Sequence, residues 1–318
     1  MPPLNGVLLV NLGTPAAPTP AAVRRYLAEF LSDPRVVQLP RFIWLPILHG
    51  IVLRTRPAKS ARKYAAIWTP EGSPLAVHTR RQTDLLRNAL SRDNIAVEYA
   101  MRYGGPSVAE GLKKLAGCGK IVVVPLYPQF SRSTTESIRD VLGTSVGPKV
   151  SMVESFHDHP AYIAALASGV ERHWAANGKG GKFVMSFHGL PKRAVDLGDP
   201  YQSQCLVTSK LLAGALRIPA NGYLVTFQSR FGAAEWLQPY TEPTLVGLAK
   251  QGIRRADVVC PGFVSDCLET LEEIALEAKH AFLGAGGTEF HALPCLNEAP
   301  EWISALAKIT AESIPSSP

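Results

Sequence analysis

Short, continuous apolar runs alternate along the chain with longer segments of helical periodicity. The apolar runs are Val7–Val10, Ile121–Leu126, Phe183–Phe187, Gly222–Phe227 and Asp257–Cys260, with a weaker candidate at Ile95–Tyr99. Helical spacing marks the stretches Thr19–Leu31, Thr79–Leu90, Val108–Leu115, Ala161–His173, Ser203–Leu216 and Pro243–Gln251. Runs that are apolar on both faces are typical of parallel strands covered by helices on both sides. The alternation therefore predicts an α/β protein with parallel sheets flanked by helices.

The length of the chain predicts two domains. It has 318 residues, against ~100–200 residues for a typical domain. The Pro- and Gly-bearing stretch Gly143–Val150 lies near the middle and could bridge two α/β halves. We place the domains at residues 1–150 and 151–318. A last helix over 300–314 could pack on either half, including back on the first.

Charge and cysteine content limit the function classes. The formal net charge of +7 suits an anionic small molecule or an anionic membrane surface. No basic run is interleaved with aromatic residues, so nucleic acid is not expected as a partner. The five cysteines form no CxxC pair, which argues against a disulfide framework and indicates a reducing compartment. No basic leader precedes the first strand, so a signal peptide is not expected.

One apolar segment, Phe42–Leu53, has two interpretations. It is 12 residues long and contains a proline and a glycine, too short for the ~20 residues of a membrane-spanning helix. It could be a buried core helix. It could also be an exposed apolar lip, because basic residues follow it at once, in the order that an interfacial anchor needs. These residues are Arg54, Arg56, Lys59, Arg62 and Lys63.

Polar groups follow the predicted strands, where ligands bind in open α/β sheets. They are Asn11, Thr14, Arg102, Tyr103, Gln129, Ser131, Ser133, His188, Gln228, Ser229, Arg230, Ser265, Asp266 and Glu269. His188 is the one histidine of eight in such a place. It could be structural, or it could be a metal ligand or proton-transfer group.

An acidic ridge follows the last of these strand ends. Glu269, Glu273 and Glu277 are four residues apart and would share one face of an α-helix. They could form a solvated acidic face, or a carboxylate ladder that binds a cation or carries protons. One imidazole with carboxylates suits Fe²⁺ better than a metal that prefers thiolates.

Five strings containing these residues resemble those of ferrochelatases, in family order and over about 6–303. The most specific is SFHGLP at 186–191 with GDPY at 198–201, similar to the SxHxLP segment whose histidine is essential in the family. The others are TFQSRFG with WLQP (226–232, 236–239), GFVSDCLETLEE (262–273), YPQFS with STT (127–131, 133–135) and LVNLGTP (9–15).

The resemblance implies a chelatase fold of two Rossmann-like domains with a porphyrin between them. It implies that His188 and Glu269 are the catalytic pair and the metal ligands, with Glu273 and Glu277 as a relay for protons or metal. Pocket positions carried over from the family are Leu12, Arg54, Arg102, Tyr103, Ser133, Gln228 and Trp236. Cys267 departs from the family pattern, because many members have a histidine next to the catalytic glutamate.

The resemblance further implies insertion of Fe²⁺ into protoporphyrin IX, in the last step of haem biosynthesis. Leu12 favours protoporphyrin, since members that use coproporphyrin tend to have a tyrosine there. We expect no cofactor and no iron–sulfur cluster, which normally takes four cysteines. We also expect a cytoplasmic monomer with weak peripheral membrane contact through 42–53. The alternatives are a coproporphyrin ferrochelatase, a cobalt or nickel tetrapyrrole chelatase, and a haem or porphyrin carrier without enzyme activity.

Overall fold

The computed structural model describes residues 5–143, 149–232 and 234–314, which divide into two compact units. Unit one comprises residues 5–127, 131–143, 149–155 and 306–314, and unit two comprises 128–130, 156–232 and 234–305. Residues 144–148 of the predicted linker lie outside the described residues.

Unit one is built on a parallel sheet of four strands in the order β2-β1-β3-β4. The strands are β1 (Asn5–Gly13), β2 (Ile95–Tyr103), β3 (Ile121–Pro125) and β4 (Val150–Met152). The central strand β1 is apolar on both faces, and its residues 7–10 are fully buried. β4 pairs with β3, so the predicted domain boundary at residue 150 falls inside a strand of unit one.

Helices of unit one begin at recognisable sequence signals. They are α1 (Pro20–Leu31), α2 (Arg41–Ile47), α3 (Leu53–Ile67), α4 (Pro74–Ala89), α5 (Val108–Lys114) and α6 (Ser137–Leu142), with π-helical turns at Leu48–Val52 and Arg132–Glu136. Thr19 caps α1 through its hydroxyl, and Pro20 occupies the first helical position. Ser107 and Glu110 form a capping box on α5. Such caps satisfy backbone N–H groups that have no partner inside the helix.

The apolar segment 42–53 is helical and amphipathic. Trp44, Leu48 and Leu53 are buried, whereas Phe42 is 80% and Ile51 61% exposed. One face of the segment is therefore buried, as expected of a core helix, and the other is an exposed apolar lip. Among the described residues, we find no helix with both the length and the apolar character needed to cross a bilayer.

Unit two repeats the sheet order of unit one. Its strands are β5 (Lys182–His188), β6 (Tyr223–Gln228), β7 (Arg255–Val259) and β8 (Glu289–Ala292), in the parallel order β6-β5-β7-β8. Its helices are α7 (Pro160–Asn177), α8 (Lys192–Asp196), α9 (Tyr201–Ala215), α10 (Thr241–Lys250), the π-helix Glu269–Ala278, α11 (Lys279–Gly284) and α12 (Pro300–Ser313), of which the part from Leu306 belongs to unit one. The predicted α/β fold with helix-flanked parallel sheets is confirmed.

Candidate functional site

His188 lies at the carboxyl end of β5, where the strand order of unit two reverses. The connection after β5 leads to β6 on one side, and β7 lies on the other. Ligands of open α/β sheets bind at such a switch point. The His188 Nδ1 is 2.6 Å from the Gly189 carbonyl oxygen. A carbonyl only accepts, so Nδ1 carries the proton and Nε2 keeps a lone pair. That lone pair can accept a proton or bind a metal.

Gln228 joins His188 to the acidic helix. It ends β6 and pairs in register with His188. Its Oε1 accepts from the Ser186 hydroxyl at 2.7 Å and from the Cys260 thiol at 3.7 Å. This fixes the orientation of the amide, and Nε2 donates to the Glu269 carbonyl at 2.8 Å. Gln228 thereby ties the first turn of the acidic helix to the strand beside β5.

The acidic ridge lies on a π-helix, whereas the four-residue spacing predicted an α-helix. Residues 269–278 form i→i+5 hydrogen bonds, so four residues fall just short of one turn instead of passing it. Glu269 and Glu273 are half-buried and Glu277 is exposed. The three carboxylates therefore run from the interior of unit two to its surface.

The Glu273 carboxylate is held by two hydrogen bonds from Ser229. The Ser229 backbone N–H donates to Oε1 at 2.6 Å, and the Ser229 hydroxyl donates to Oε2. Ser229 has a φ of 65°, which a non-glycine residue rarely adopts. Burial raises the pKa of the Glu273 carboxyl, while the Ser229 hydrogen bonds and His188 act in the opposite direction. Glu273 is thus a carboxyl beside His188 that takes up a proton more readily than an exposed one.

Glu269 is positioned by a network behind it. The Asp266 carboxylate accepts from Thr270 Oγ1 at 2.9 Å and from the Asn297 side chain at 2.6 Å, which anchors the start of the π-helix. Burial, with the neighbouring Glu269 carboxylate, raises the pKa of the Cys267 thiol well above its usual range. Cys267 therefore remains a neutral thiol next to the carboxylate.

Trp236 is held beside Gly189, the residue that follows His188, by backbone hydrogen bonds between two segments. The Lys192 N–H donates to the Glu235 carbonyl and the Leu237 N–H donates to the Leu190 carbonyl, both at 2.9 Å. The Trp236 ring packs on Gly189. Among the described residues, its indole N–H has no hydrogen-bond partner. The ring is a half-buried aromatic surface next to the backbone that follows His188.

In unit one, Arg102 and Tyr103 belong to a hydrogen-bonded network at the end of β2. Arg102 pairs with Asp33 at 2.6 Å and donates from Nε to Ser137 Oγ at 2.7 Å. The Tyr103 hydroxyl donates to the same Asp33 oxygen at 2.8 Å. Tyr103 is buried, and burial raises the pKa of its phenol. It contacts the network through its hydroxyl and through its ring, over which the Arg102 guanidinium lies 4.4 Å from the centroid, so the structure gives it a positioning role toward Arg102.

We expect Asp33→Asn to lower the free energy of unfolding by about 2–3 kcal/mol at pH 7, because the network loses its negative charge and one of its two acceptor oxygens. Burial alone would raise the pKa of Asp33, but hydrogen bonds from Ser137, the Arg35 backbone and Tyr103, with the Arg102 charge, lower it overall. A lowered native pKa contributes stability above the unfolded pKa that disappears as the pH falls through the native one.

The difference between wild type and Asp33→Asn should therefore shrink below about pH 4. Urea unfolding at several pH values measures it. Asp84→Asn is the matched control, since Asp84 pairs with Arg87 on the surface and should change stability by less than ~0.5 kcal/mol. A difference independent of pH would contradict the assignment.

The remaining predicted positions of unit one lie apart from this network. Leu12 is half-buried near the end of β1, where its N–H donates to the Asn11 side chain at 2.9 Å. Ser133 is in the π-helical turn after β3 and contacts Ser131. Arg54 is exposed at the start of α3. Each follows the strand or lip that the sequence indicated, and their contact with a porphyrin stays a prediction.

Several residues that organise the site were missed as functional residues. Asp33, Ser137 and Thr241 carry no local signal, because the sheet and helices bring them from distant positions. Thr241 hydrogen-bonds Ser186, the partner of Gln228, at 2.8 Å. The strand-end rule did find Ser229 and Asp266, but gave them no role.

Known proteins resemble this chain over nearly its whole length. The family model described as ferrochelatase matches residues 4–314. The ferrochelatase of Aromatoleum aromaticum is 57% identical, with 98% of this chain and 88% of the relative covered. That of Azoarcus sp. is also 57% identical, with 96% and 86% covered.

Solved structures support the fold. SirB from Bacillus subtilis, solved with Fe³⁺, has a TM-score of 0.55 at 13% identity and covers 97% of this chain and 95% of its own. CbiX, the terminal enzyme of sirohaem biosynthesis in denitrifying bacteria, has a TM-score of 0.52 at 15% identity, with 98% and 100% covered. The predicted chelatase fold is confirmed, and so is the resemblance drawn from five short strings: the chain belongs to the ferrochelatase family.

Proposed function

We propose that this protein is a ferrochelatase that inserts Fe²⁺ into protoporphyrin IX and releases protohaem and two protons. The observation that carries the proposal is the cluster at the end of β5, where Gln228 ties His188 to the helix that bears Glu269 and Glu273. It combines an imidazole lone pair with carboxylates at a sheet switch point, in a chain of the ferrochelatase family.

Metal insertion must remove two N–H protons from the porphyrin and bring Fe²⁺ to its nitrogens. The Nε2 lone pair of His188 would accept a pyrrole proton or bind the incoming iron. Glu269 would bind the iron and balance its charge. Glu273, whose pKa is raised by burial, would take a proton onward, and Glu277 would release it at the surface.

The macrocycle supplies the binding energy for ring distortion. A flat aromatic ring holds its nitrogen lone pairs in plane, and bending it makes them reachable. Contacts with the rest of the macrocycle, away from the nitrogens, would drive this distortion. Trp236 offers an aromatic face for stacking, and the exposed Arg54 would pair with a propionate.

The reaction needs no nucleotide, redox cofactor or iron–sulfur cluster. Cluster ligation normally takes four cysteines, and the five cysteines of this chain form no CxxC pair. All five cysteines are free, which is typical of a reducing compartment. We place the protein in the cytoplasm as a monomer, since one chain supplies every residue of the cluster.

Purified protein mixed with Fe²⁺ and protoporphyrin IX should give the absorption spectrum of protohaem. We expect kcat/KM for protoporphyrin to exceed that for coproporphyrin by at least about tenfold, ~1.4 kcal/mol, because Leu12 is apolar and offers no phenol to a more polar substrate. A carrier would bind porphyrin and form no haem. A preference for coproporphyrin would overturn the choice of substrate and leave the chelatase intact.

An exposed apolar face would bring the protein to the lipid membrane, because protoporphyrin partitions into lipid. The face consists of Leu39, Phe42, Ile43, Ile47 and Ile51. The exposed bases Arg54, Lys59 and Arg62 follow it. Trp44, which the sequence placed in this face, is buried, and its indole donates to the Leu31 carbonyl at 2.6 Å. Membrane contact through this face would be weak and salt-sensitive.

The Phe42→Ser/Ile51→Ser variant should bind anionic vesicles at least about tenfold more weakly than wild type at low salt, since each apolar side chain adds ~25 cal/mol per Å² buried. Co-sedimentation measures it. The matched control is Leu206→Ser/Leu211→Ser, which removes two exposed apolar side chains from α9 of unit two. Equal binding by both variants, or none by wild type at any salt, would refute the membrane contact.

A further inference from the structure

A second group of metal-ligating side chains lies in unit two, away from His188. It consists of His173 on α7, Asp257 on β7 and His291 on β8, and one donor atom from each lies within 4.8 Å of the others. Asp257 and His291 are partners in the register of the β7–β8 pair. The His173 and His291 rings are 4.9 Å apart between centroids, at 70°. Three elements thus bring two imidazoles and a carboxylate together.

The ring nitrogens of this cluster are available for a cation. Nε2 of His291 is 2.7 Å from Glu289 Oε1. A carboxylate only accepts, so Nε2 carries the proton and the other nitrogen keeps a lone pair. This carboxylate–histidine arrangement is the usual support of a metal-bound histidine. Nε2 of His173 is buried and has no hydrogen-bond partner within the described parts of the chain.

Asn177 fixes the position of the His173 ring. Its side-chain nitrogen lies 3.4 Å from His173 Nδ1 and donates to the His173 carbonyl oxygen at 3.0 Å. A neutral imidazole carries one proton, on either ring nitrogen, so binding of an ion through Nε2 would place that proton on Nδ1.

Asp257 is held in place and keeps coordination capacity. It accepts from Trp174 Nε1 at 2.8 Å and from Arg255 Nε at 3.0 Å and Nη2 at 3.3 Å. A carboxylate has about four lone-pair sites, which leaves one for a cation. Arg255 also pairs with Glu289 at 3.0 Å. With neutral imidazoles, the two carboxylates and one guanidinium carry a net charge of about −1, which favours a cation.

The three donor atoms would have to move only slightly closer together to bind one ion. Bonds of ~2.0–2.2 Å to tetrahedral zinc put donor atoms roughly 3.4 Å apart, so a pair at 4.8 Å would approach by about 1.4 Å through side-chain rotation. A cleft of ≈ 300 Å³ that is lined by His173 and Asn177 lies on one side of the cluster. Imidazole with one carboxylate suits Zn²⁺, Fe²⁺ and Ni²⁺ better than Mg²⁺ or Ca²⁺.

The cluster is distinct from the catalytic one. Asp257 pairs with Phe183, five residues before His188 on the same strand. At ~3.3 Å per residue the two positions are about 16 Å apart along β5. An ion at the cluster would not reach the groups around His188.

We propose that His173, Asp257 and His291 form a second metal site, which binds one divalent transition ion of the zinc or ferrous class. The ion joins α7 to β8, the last strand of its sheet, and so fixes the edge of unit two. This site is independent of the proposed chelatase activity.

Zinc binding tests the proposal in a background that lacks the catalytic ligands. The His188→Ala/Glu269→Gln protein is equilibrated with Zn²⁺ by dialysis, and bound zinc is measured by atomic absorption. We expect about one zinc per chain, and at least about 100-fold weaker binding after the further change His173→Gln/His291→Gln. Replacing the exposed His280 with Gln is the matched control and should leave zinc binding unchanged.

Cobalt provides a second readout, because Co²⁺ held in a four-coordinate site by two imidazoles and a carboxylate has visible d–d bands that are far stronger, and at longer wavelength, than those of the octahedral aqueous ion. Glu289→Gln, a surface change, should weaken zinc binding about tenfold, and this variant decides the case if the double His variant fails to fold. No zinc in the background protein, or undiminished zinc in the variants, would overturn the site.

Discussion

His188→Ala and Glu269→Gln should each lower kcat for iron insertion by at least ~10²-fold, the effect of losing a positioned acid or base. His188 offers the Nε2 lone pair at the switch point of the sheet. Glu269 starts the π-helix that Gln228 ties to the same edge. Both side chains are half-buried, so we expect the variants to remain folded. Steady-state haem formation and near-ultraviolet circular dichroism measure the two effects.

His280→Ala and Glu242→Gln are matched controls on the exposed surface of unit two and should keep normal turnover. The kinetic parameters also divide the roles. A higher KM for Fe²⁺ identifies the metal ligand, whereas a lower kcat at unchanged KM identifies the proton acceptor. Turnover near the wild-type value in either catalytic variant would show that the assignment is wrong.

The strands that could be predicted from sequence are those long enough to carry an apolar run. β1, β3, β5, β6 and β7 are marked by continuous apolar runs, and the nine-residue edge strand β2 by a weaker one. β4 and β8 were missed, since they have only three and four residues, fewer than the usual strand. Missing β4 also displaced the predicted domain boundary, because its pairing with β3, and not its sequence, places it in unit one.

The site shows the same division between local and non-local signals. His188 and Gln228 could be predicted because they lie at strand ends, and Glu269 because it lies in the segment that follows β7. The π-helix could not, because the same spacing of glutamates fits an α-helix equally well. The buried state of Trp44 follows from the Leu31 carbonyl that its indole reaches. Asp33 reaches Arg102 only when α1 and β2 are in place, so the residues near Asp33 in the sequence do not indicate its role.

Gly189→Ala should damage both stability and catalysis, since Gly189 follows His188 directly. Its N–H donates to the Gln228 carbonyl at 2.7 Å, and a Cβ would lie 2.6 Å from that oxygen and 3.1 Å from the Trp236 ring. Relief requires the backbone of β5 to move away from Gln228. Overpacking of this kind costs about 1–3 kcal/mol of unfolding free energy. A displacement of His188 by about 1 Å would lower kcat by roughly 10²-fold.

Gly214→Ala separates the steric effect from the general effect of replacing glycine. Gly214 is exposed on α9, and a Cβ there meets nothing within 4 Å. Alanine in an open helical position should raise the unfolding free energy by about 0.5–1 kcal/mol and leave turnover unchanged. Thermal unfolding and haem formation are measured for both variants. Because Gly189 carries the carbonyl that fixes the His188 tautomer, its variant should lose turnover at temperatures where it is still folded. If turnover falls only as the fold melts, Gly189 supports the structure of unit two and does not position the imidazole.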